Sequence, residues 1–259
     1  MKRWVAVLGV LILVLSLTTT AFAADKAQVR AINGSVNGKA VDILIADKAA
    51  FTKVALGAGT EYAGFEAGTL AVKIVAAGTT TPVLAQASID AKAGQAYCIA
   101  VIGTSDKVEV IVVSDAKNVP VAGKAVARVI NNALDLPTAD IGAAGKAPIW
   151  KGVAPKTASD YVAIDPGAHE FWGYIAGTTQ GVPSGKPVEL EAGKVYSLVV
   201  SGFPVLAGAP VELYAIVDPA LPAAGAALPT TGGEASLAVY LLASAAGLLT
   251  LGGLALRRR

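Results

Sequence analysis

The chain has few of the residues on which catalysis and covalent bracing depend. Its 259 residues include one cysteine, Cys98, and one histidine, His169. A single cysteine excludes an intramolecular disulfide, so an exported domain must be stabilised by packing. One histidine and one cysteine fall short of the three or four ligands that zinc needs. Any Ser-His-Asp or Cys-His arrangement has to use His169. The sequence has no G-x-S-x-G, no H-E-x-x-H and no EF-hand-like run of oxygen ligands. No clustered basic stripe is present either, which argues against nucleic acid as a partner. Extended helical periodicity is missing from the interior of the chain. These absences lead to the expectation of a non-enzyme with no catalytic, cofactor-binding or metal-binding residues.

Strong signals stand at both ends. Lys2 and Arg3 precede an apolar stretch from Val5 to Leu17, and Ala21-Phe22-Ala23 follows. That order predicts a signal peptide over residues 1–23, with the cut by signal peptidase expected between Ala23 and Ala24. At the other end, Ser236 to Leu256 carries no charge and is followed by Arg257-Arg258-Arg259. As a helix it is about 31 Å long, enough to cross a hydrocarbon core of about 30 Å. The arginines belong on the cytoplasmic side. Setting aside Lys2, Arg3, the three terminal arginines and Glu234 changes the charge balance. The whole chain has 21 basic and 19 acidic residues; sixteen and eighteen remain, near −2. The basic pI therefore belongs to the targeting segments.

Leu228-Pro229-Thr230-Thr231-Gly232 stands just before the apolar run. Motif, apolar run and basic tail together resemble a sortase sorting signal of the LPxTG type, over residues 228–259. The resemblance implies cleavage between Thr231 and Gly232 and transfer of Thr231 to an amine of the cell-wall peptidoglycan. The alternative is a plain single-pass membrane anchor. Leu221-Pro222-Ala223-Ala224-Gly225 has a similar outline, but Ala stands at the scissile position, and it reads as linker. The Pro/Ala stretch 219–227 is partly extended. From Asp218 to Thr231 it reaches at most about 45 Å, which keeps the domains near their anchor.

Between these ends the chain repeats itself. Val29-Arg30-Ala31-Ile32-Asn33 recurs as Ala127-Arg128-Val129-Ile130-Asn131, and Val41-Asp42-Ile43 as Ala139-Asp140-Ile141. Tyr62 matches Tyr161, Gly68 matches Gly167, and Ala93-Gly94-Gln95-Ala96-Tyr97 matches Ala192-Gly193-Lys194-Val195-Tyr196. The register has drifted further by Asp115 and Asp218. A period near 100 is a repeated domain rather than a solenoid unit. The join falls near Pro120 to Lys124. Leu70–Val75 is a β-rich run, and Val108–Val113 reads as a mostly buried strand. His169–Ile175 and Tyr196–Val200 take the equivalent places in copy two. The expected fold is all-β: two tandem β-sandwich (Ig-like/transthyretin-like) domains at 24–120 and 121–218. An N-terminal signal helix and a C-terminal transmembrane helix at 236–256 complete it.

The pattern is A-R-V-(I/V), met in full by copy two and as Val29-Arg30-Ala31-Ile32 in copy one, then (V/A)-D-(I/V), then a tyrosine and glycine, then A-G-(K/Q)-x-Y. It resembles domain-of-unknown-function family 4397, whose members are exported bacterial proteins that often carry the module in tandem. The residues carrying the resemblance are Arg30, Asp42, Tyr62, Gly68, Gly94 and Tyr97, and then Arg128, Asp140, Tyr161, Gly167, Gly193 and Tyr196. Where the family commonly has His and Ser-Pro after the opening strand, this chain has Asn33-Gly34 and Asn131-Asn132. The resemblance implies a β-rich surface module and brings no activity.

Several residues remain as candidates. Asp42 and Asp140 are expected to lie near Arg30 and Arg128, in an ion pair or a turn bond. Tyr97 and Tyr196 follow Ala-Gly turns, where a phenol can bond back to its own loop. Cys98 reads as a small buried hydrophobe. Trp150, Phe171, Trp172 and Tyr174 occur only in copy two. They form either a local core or, through Trp150, Trp172 and Tyr174, a ligand surface for a glycan or a protein. The resulting expectation is a cell-surface structural or interaction protein, exported and anchored to the wall by sortase. A surface binding protein is the alternative.

Overall fold

Alternation along the first strand sets the architecture. β1, Lys26–Asn33, points Ala27, Val29 and Ala31 to one side and Gln28, Arg30 and Ile32 to the other, as a pleated strand must. Both sides are buried from Val29 onward, Arg30 included. A strand that is apolar on one side only would leave Arg30 in water, so β1 must have protein on both faces.

The computed structural model describes residues 26–35, 38–115, 119–133, 138–143, 145–178, 181–202 and 212–221. The signal segment with Ala23 and Ala24, most of the linker, the Leu228–Gly232 motif and the apolar run at 236–256 lie outside the described residues. Among the described residues the chain is all-β, without a helix.

Copy one continues with β2 (Val41–Ile45), β3 (Lys48–Val54), β4 (Ala63–Glu66), β5 (Gly68–Ala76), β6 (Val83–Ala91), β7 (Ala96–Gly103) and β8 (Val108–Ser114). Its inner sheet has the order β4-β1-β7-β8 and its outer sheet β3-β2-β5-β6. β1 and β7 run parallel, with Arg30 beside Cys98, while the other pairs are antiparallel. Val29, Ile99 and Val101 of the inner sheet pack against Ile43, Val72, Ile74 and Ile89 of the outer one.

Copy two comprises β9 (Ala125–Ala133), β10 (Ala139–Ala143), β11 (Trp150–Val153), β12 (Val162–Ile164), β13 (Gly167–His169), β14 (Phe171–Ile175), β15 (Gly181–Pro183), β16 (Val188–Leu190), β17 (Val195–Gly202) and β18 (Glu212–Asp218). Its inner sheet, β12-β9-β17-β18, repeats that of copy one, including the parallel pair β9–β17 with Arg128 beside Ser197. Its outer sheet is β11-β10-β14-β15, and β13 pairs with β16 in a separate ribbon. The stretch His169–Ile175, expected as one strand, is broken at Glu170. His169 pairs with Val188, while Phe171 pairs with Ala143.

A third apolar cluster joins the two inner sheets. Ile32, Cys98, Ala100 and Ile102 of copy one meet Ile130, Val199 and Ile216 of copy two. The layers therefore stack as outer, inner, inner, outer, and each inner sheet is covered on both faces. β8 is only half-buried, contrary to the expectation of a mostly buried strand, because it stands at the edge of its sheet.

Candidate functional site

The polar centre of the molecule lies where the two inner sheets meet. β1 delivers Arg30 and β9 delivers Arg128, each from the face turned away from its own sandwich core. Asp115 follows the last residue of β8, and Asp218 closes β18. Arg30 Nε donates to Asp115 Oδ2 at 2.6 Å, within copy one. Two contacts cross between copies: Arg30 Nη1 lies 2.8 Å from Asp218 Oδ1, and Arg128 Nη2 lies 2.7 Å from Asp115 Oδ1. Both are ion contacts set off the N–H axis rather than aligned hydrogen bonds. Ser197 Oγ accepts from Arg128 Nε at 3.0 Å and donates to Asp218 Oδ2 at 2.9 Å.

Two tyrosines complete the cluster in matching roles. Tyr62 donates its hydroxyl to Asp115 Oδ2 and Tyr161 donates to Asp218 Oδ2, each at 2.8 Å. The Arg30 guanidinium lies 5.8 Å from the Tyr62 ring centroid, and that of Arg128 lies 4.8 Å from the Tyr161 ring, within cation–π range. Side-chain exposure is 0% for Arg30 and Asp115 and 1% for Arg128. Four unit charges are thus buried, and they sum to zero. Burying charge is tolerable only with such pairing.

The electrostatics follow from this balance. Burial works to raise the Asp115 pKa, but the Arg128 and Arg30 guanidinium groups overcome it and hold the carboxyl below its ordinary value. Burial likewise works against the charge on Arg30 and Arg128, and the neighbouring carboxylates reverse that effect. Cys98, beside Arg30, is pushed by burial up to about 12, so it is a neutral thiol at physiological pH. A thiol held protonated is a poor nucleophile. Burial also moves Tyr161 above its usual range.

Around the cluster the copies interlock by shape. Asn132 donates to the Gly34 carbonyl at 2.9 Å and accepts from the Gly103 N–H at 2.8 Å. A Cβ placed on Gly34 would come 2.5 Å from Val199 Cγ1, and one on Gly59 would come 2.9 Å from Ile216 Cγ2. Glycine is required there by close approach. At one edge the fit opens into a groove of about 470 Å³, lined by Ile111, Val113, Arg128, Ser159 and Asp160 among others. Lys156 on its wall spans the two copies, 2.6 Å from Glu109.

The residues singled out from sequence fall in several places. Asp42 and Asp140 do not pair with the arginines. Asp42 accepts from the N–H groups of Lys53 and Gly78, at 2.7 and 2.8 Å. Asp140 accepts from those of Gly152 and Gly177, at 2.6 and 3.2 Å. The turn bond is the arm of that expectation that the structure has, and the ion pair belongs to Asp115 and Asp218. Lys53 and Gly152 both have positive φ, which explains why their N–H groups need a side-chain acceptor. Tyr97 bonds back to its loop through the Lys92 N–H and the Asp90 carbonyl, and Tyr196 does so through the Glu191 N–H.

Trp150 must be corrected as a ligand-surface residue. It is 3% exposed, packs on Phe171 at 6.0 Å between centroids, and donates Nε1 to the Asp160 carbonyl. Strand alternation turns Trp172 and Tyr174 the other way from Phe171. They are half-buried, with ring centroids 6.3 Å apart. His169 stacks on Phe171 at 5.7 Å, with Nε2 2.8 Å from the Asp165 carbonyl. Asp115 and Asp218 served in the sequence only as markers of register. Their signal was recurrence of a carboxylate at the end of both copies, matched to an arginine at the start.

Comparisons with known proteins agree with the repeat. No curated protein sequence matches the chain. Among solved structures, the C-terminal domain of AlgF from P. aeruginosa aligns at 27% identity over 37% of this chain and 98% of that one, with a TM-score of 0.28. The TIE protein of Bacillus anthracis aligns at 11% identity over 68% of this chain and 34% of that one, with a TM-score of 0.21. A protein of Bacteroides uniformis ATCC 8492, provisionally described as a cell adhesion protein, aligns at 12% identity over 75% and 98%, with a TM-score of 0.23. These likenesses are too loose to carry a conclusion. The family model of a domain of unknown function, DUF4397, matches residues 27–142 and again residues 127–230. With two matches that together span most of its length, the chain belongs to the DUF4397 family.

Proposed function

We propose that this protein is a bacterial cell-surface structural module. It is exported by its signal peptide, freed by signal peptidase after Ala23 and joined by sortase through Thr231 to peptidoglycan. The observation that carries this reading is the succession, along the sequence, of Leu228–Gly232, an uncharged run and three arginines. Each copy, at 24–120 and 121–218, is an Ig-like or transthyretin-like sandwich in this reading, and the two act as one rigid body. Support for rigidity comes from the inner sheets, covered on both faces and clamped by buried charge. No catalytic role is assigned. A second reading, a glycan- or protein-binding surface, rests on the neighbouring Trp172 and Tyr174 rings on the outer sheet of copy two.

The test is fractionation of wild-type cells, sortase-deficient cells and cells carrying Thr231→Ala. The expected result is release from wild-type walls only by wall-degrading enzymes, with that fraction lost in both mutants. Full-length, detergent-extractable protein in all three would replace sortase anchoring with a membrane anchor.

A further inference from the structure

The interface between the copies is reciprocal. Arg30 of copy one meets Asp218 of copy two, and Arg128 of copy two meets Asp115 of copy one. Each inner sheet presents one arginine, one aspartate and one tyrosine in corresponding positions. A surface whose donors and acceptors are exchanged by a twofold axis is the kind that symmetric dimers bury. The match is not between identical faces, however. Asn132 and Ser201 of copy two both bond to the Gly34 carbonyl, at 2.9 and 3.1 Å. Copy one has Gly34 and Ile102 at those positions, so two copy-one faces would lack these bonds. Gly34 in turn leaves the space that Val199 fills. Copy one is fitted to a copy two, and a copy two of another molecule offers the same surface.

The connection between copies allows this. β8 ends at Ser114 and β9 starts at Ala125, and residues 119–124 of the connection are exposed. We infer that the chain pairs with a second copy of itself by exchanging halves, copy one of each molecule seating on copy two of the other. Every contact between the two copies is kept in the exchanged dimer, and only the connection, with its turn bond from the Lys124 N–H to the Val121 carbonyl, is rebuilt. Concentration, set against the cost of rebuilding that connection, decides the balance. A short connection gives the partner half an effective concentration on the order of millimolar, so the closed monomer dominates in dilute solution. Exchanged pairs form where chains are crowded to a similar density. The inference stands whether or not sortase anchors the chain.

Steric complementation tests it. Gly34→Ala crowds Val199, and Val199→Ala empties the space around Gly34. Mixed, the two variants can form an exchanged dimer in which the two substituted positions face each other at one junction and the two native residues meet at the other. Full-length chains bearing different affinity tags are co-expressed and purified through both tags in detergent. The expected result is about tenfold more mixed pair than two wild-type chains give, since relief of one overpacked contact is typically worth that factor. Recovery no greater than for wild type overturns the inference. Wild-type chain provides a second measurement that needs no variant to fold. It is unfolded in urea and refolded across concentrations from about 10 μM to several millimolar, bracketing the effective concentration. The dimer fraction by light scattering must rise through this range, and monomer throughout would also overturn the inference.

Discussion

Replacing Asp115 by Asn keeps the shape of the cluster and removes one charge. In the native protein Asp115 neutralises Arg30 and Arg128 together, at 2.6 and 2.7 Å, and accepts the Tyr62 hydroxyl as well. With Asn there, two guanidinium groups share one carboxylate, Asp218, inside an interface with no exposure at the site. Removing one partner of a buried pair costs about 3–5 kcal/mol, because the remaining charge stays buried. Against a typical stability of about 5–15 kcal/mol, that is a large share. The loss falls on the junction, so the copies should stop unfolding as one unit. Trp150 and Trp172 both lie in copy two, so tryptophan fluorescence reports that copy in a chain without its signal peptide. Far-UV circular dichroism reports both. In urea the two probes should give coincident transitions for wild type and separated ones for Asp115→Asn. Asp47→Asn is the control: its carboxylate pairs with Lys73 but is 73% exposed, and its loss should cost under about 1 kcal/mol. A loss of that small size for Asp115→Asn, with coincident transitions, would refute the claim that buried charge couples the copies.

The same carboxylate predicts an acid limb. Its folded pKa lies below the unfolded value, so its contribution is present above about pH 4 and disappears as pH falls through the folded value. Urea midpoints of wild type and Asp115→Asn should therefore converge below that pH. Cys98 predicts an alkaline limb of opposite sense. Its folded pKa is raised from 9.0 to about 12, so its contribution is full below pH 9 and lost as pH rises towards 12, about 4 kcal/mol across that span. Cys98→Ser should show a shallower alkaline decline, the remainder in both proteins coming from Tyr161, which burial keeps neutral in the folded chain while it ionises in the unfolded one. The native thiol should resist thiol reagents at about pH 8 until the chain unfolds. Asp42→Ala leaves the N–H groups of Lys53 and Gly78 without their acceptor and should cost about 2 kcal/mol in thermal or urea unfolding.

Much of the fold was legible because it depends on local chemistry. β-Branched runs between glycines predicted strands such as Leu70–Val75, which lies within β5. The paired Ala-Gly-x-x-Tyr segments predicted a phenol bonding to its own loop, and both tyrosines do so. Recurrence of these local patterns revealed the duplication, which the two family matches bear out. What failed was partner choice. Arg30 lies closer in sequence to Asp42 than to Asp115, and sequence distance says nothing about which strand end returns to β1. Trp150 and Trp172 look alike in a sequence, yet one lies in the sandwich core and the other is half-buried on the opposite face of its sheet.

Residue type and spacing were enough for the repeat and the all-β class, and one cysteine is enough to rule out a disulfide within the chain. The tertiary structure alone decided that the inner sheets are buried on both faces and that Arg30, Arg128, Asp115 and Asp218 form one neutral cluster. The physical reason is that a strand pattern specifies two faces but not what covers them. Only docking of the two copies removes the second face from water and makes a buried arginine tolerable.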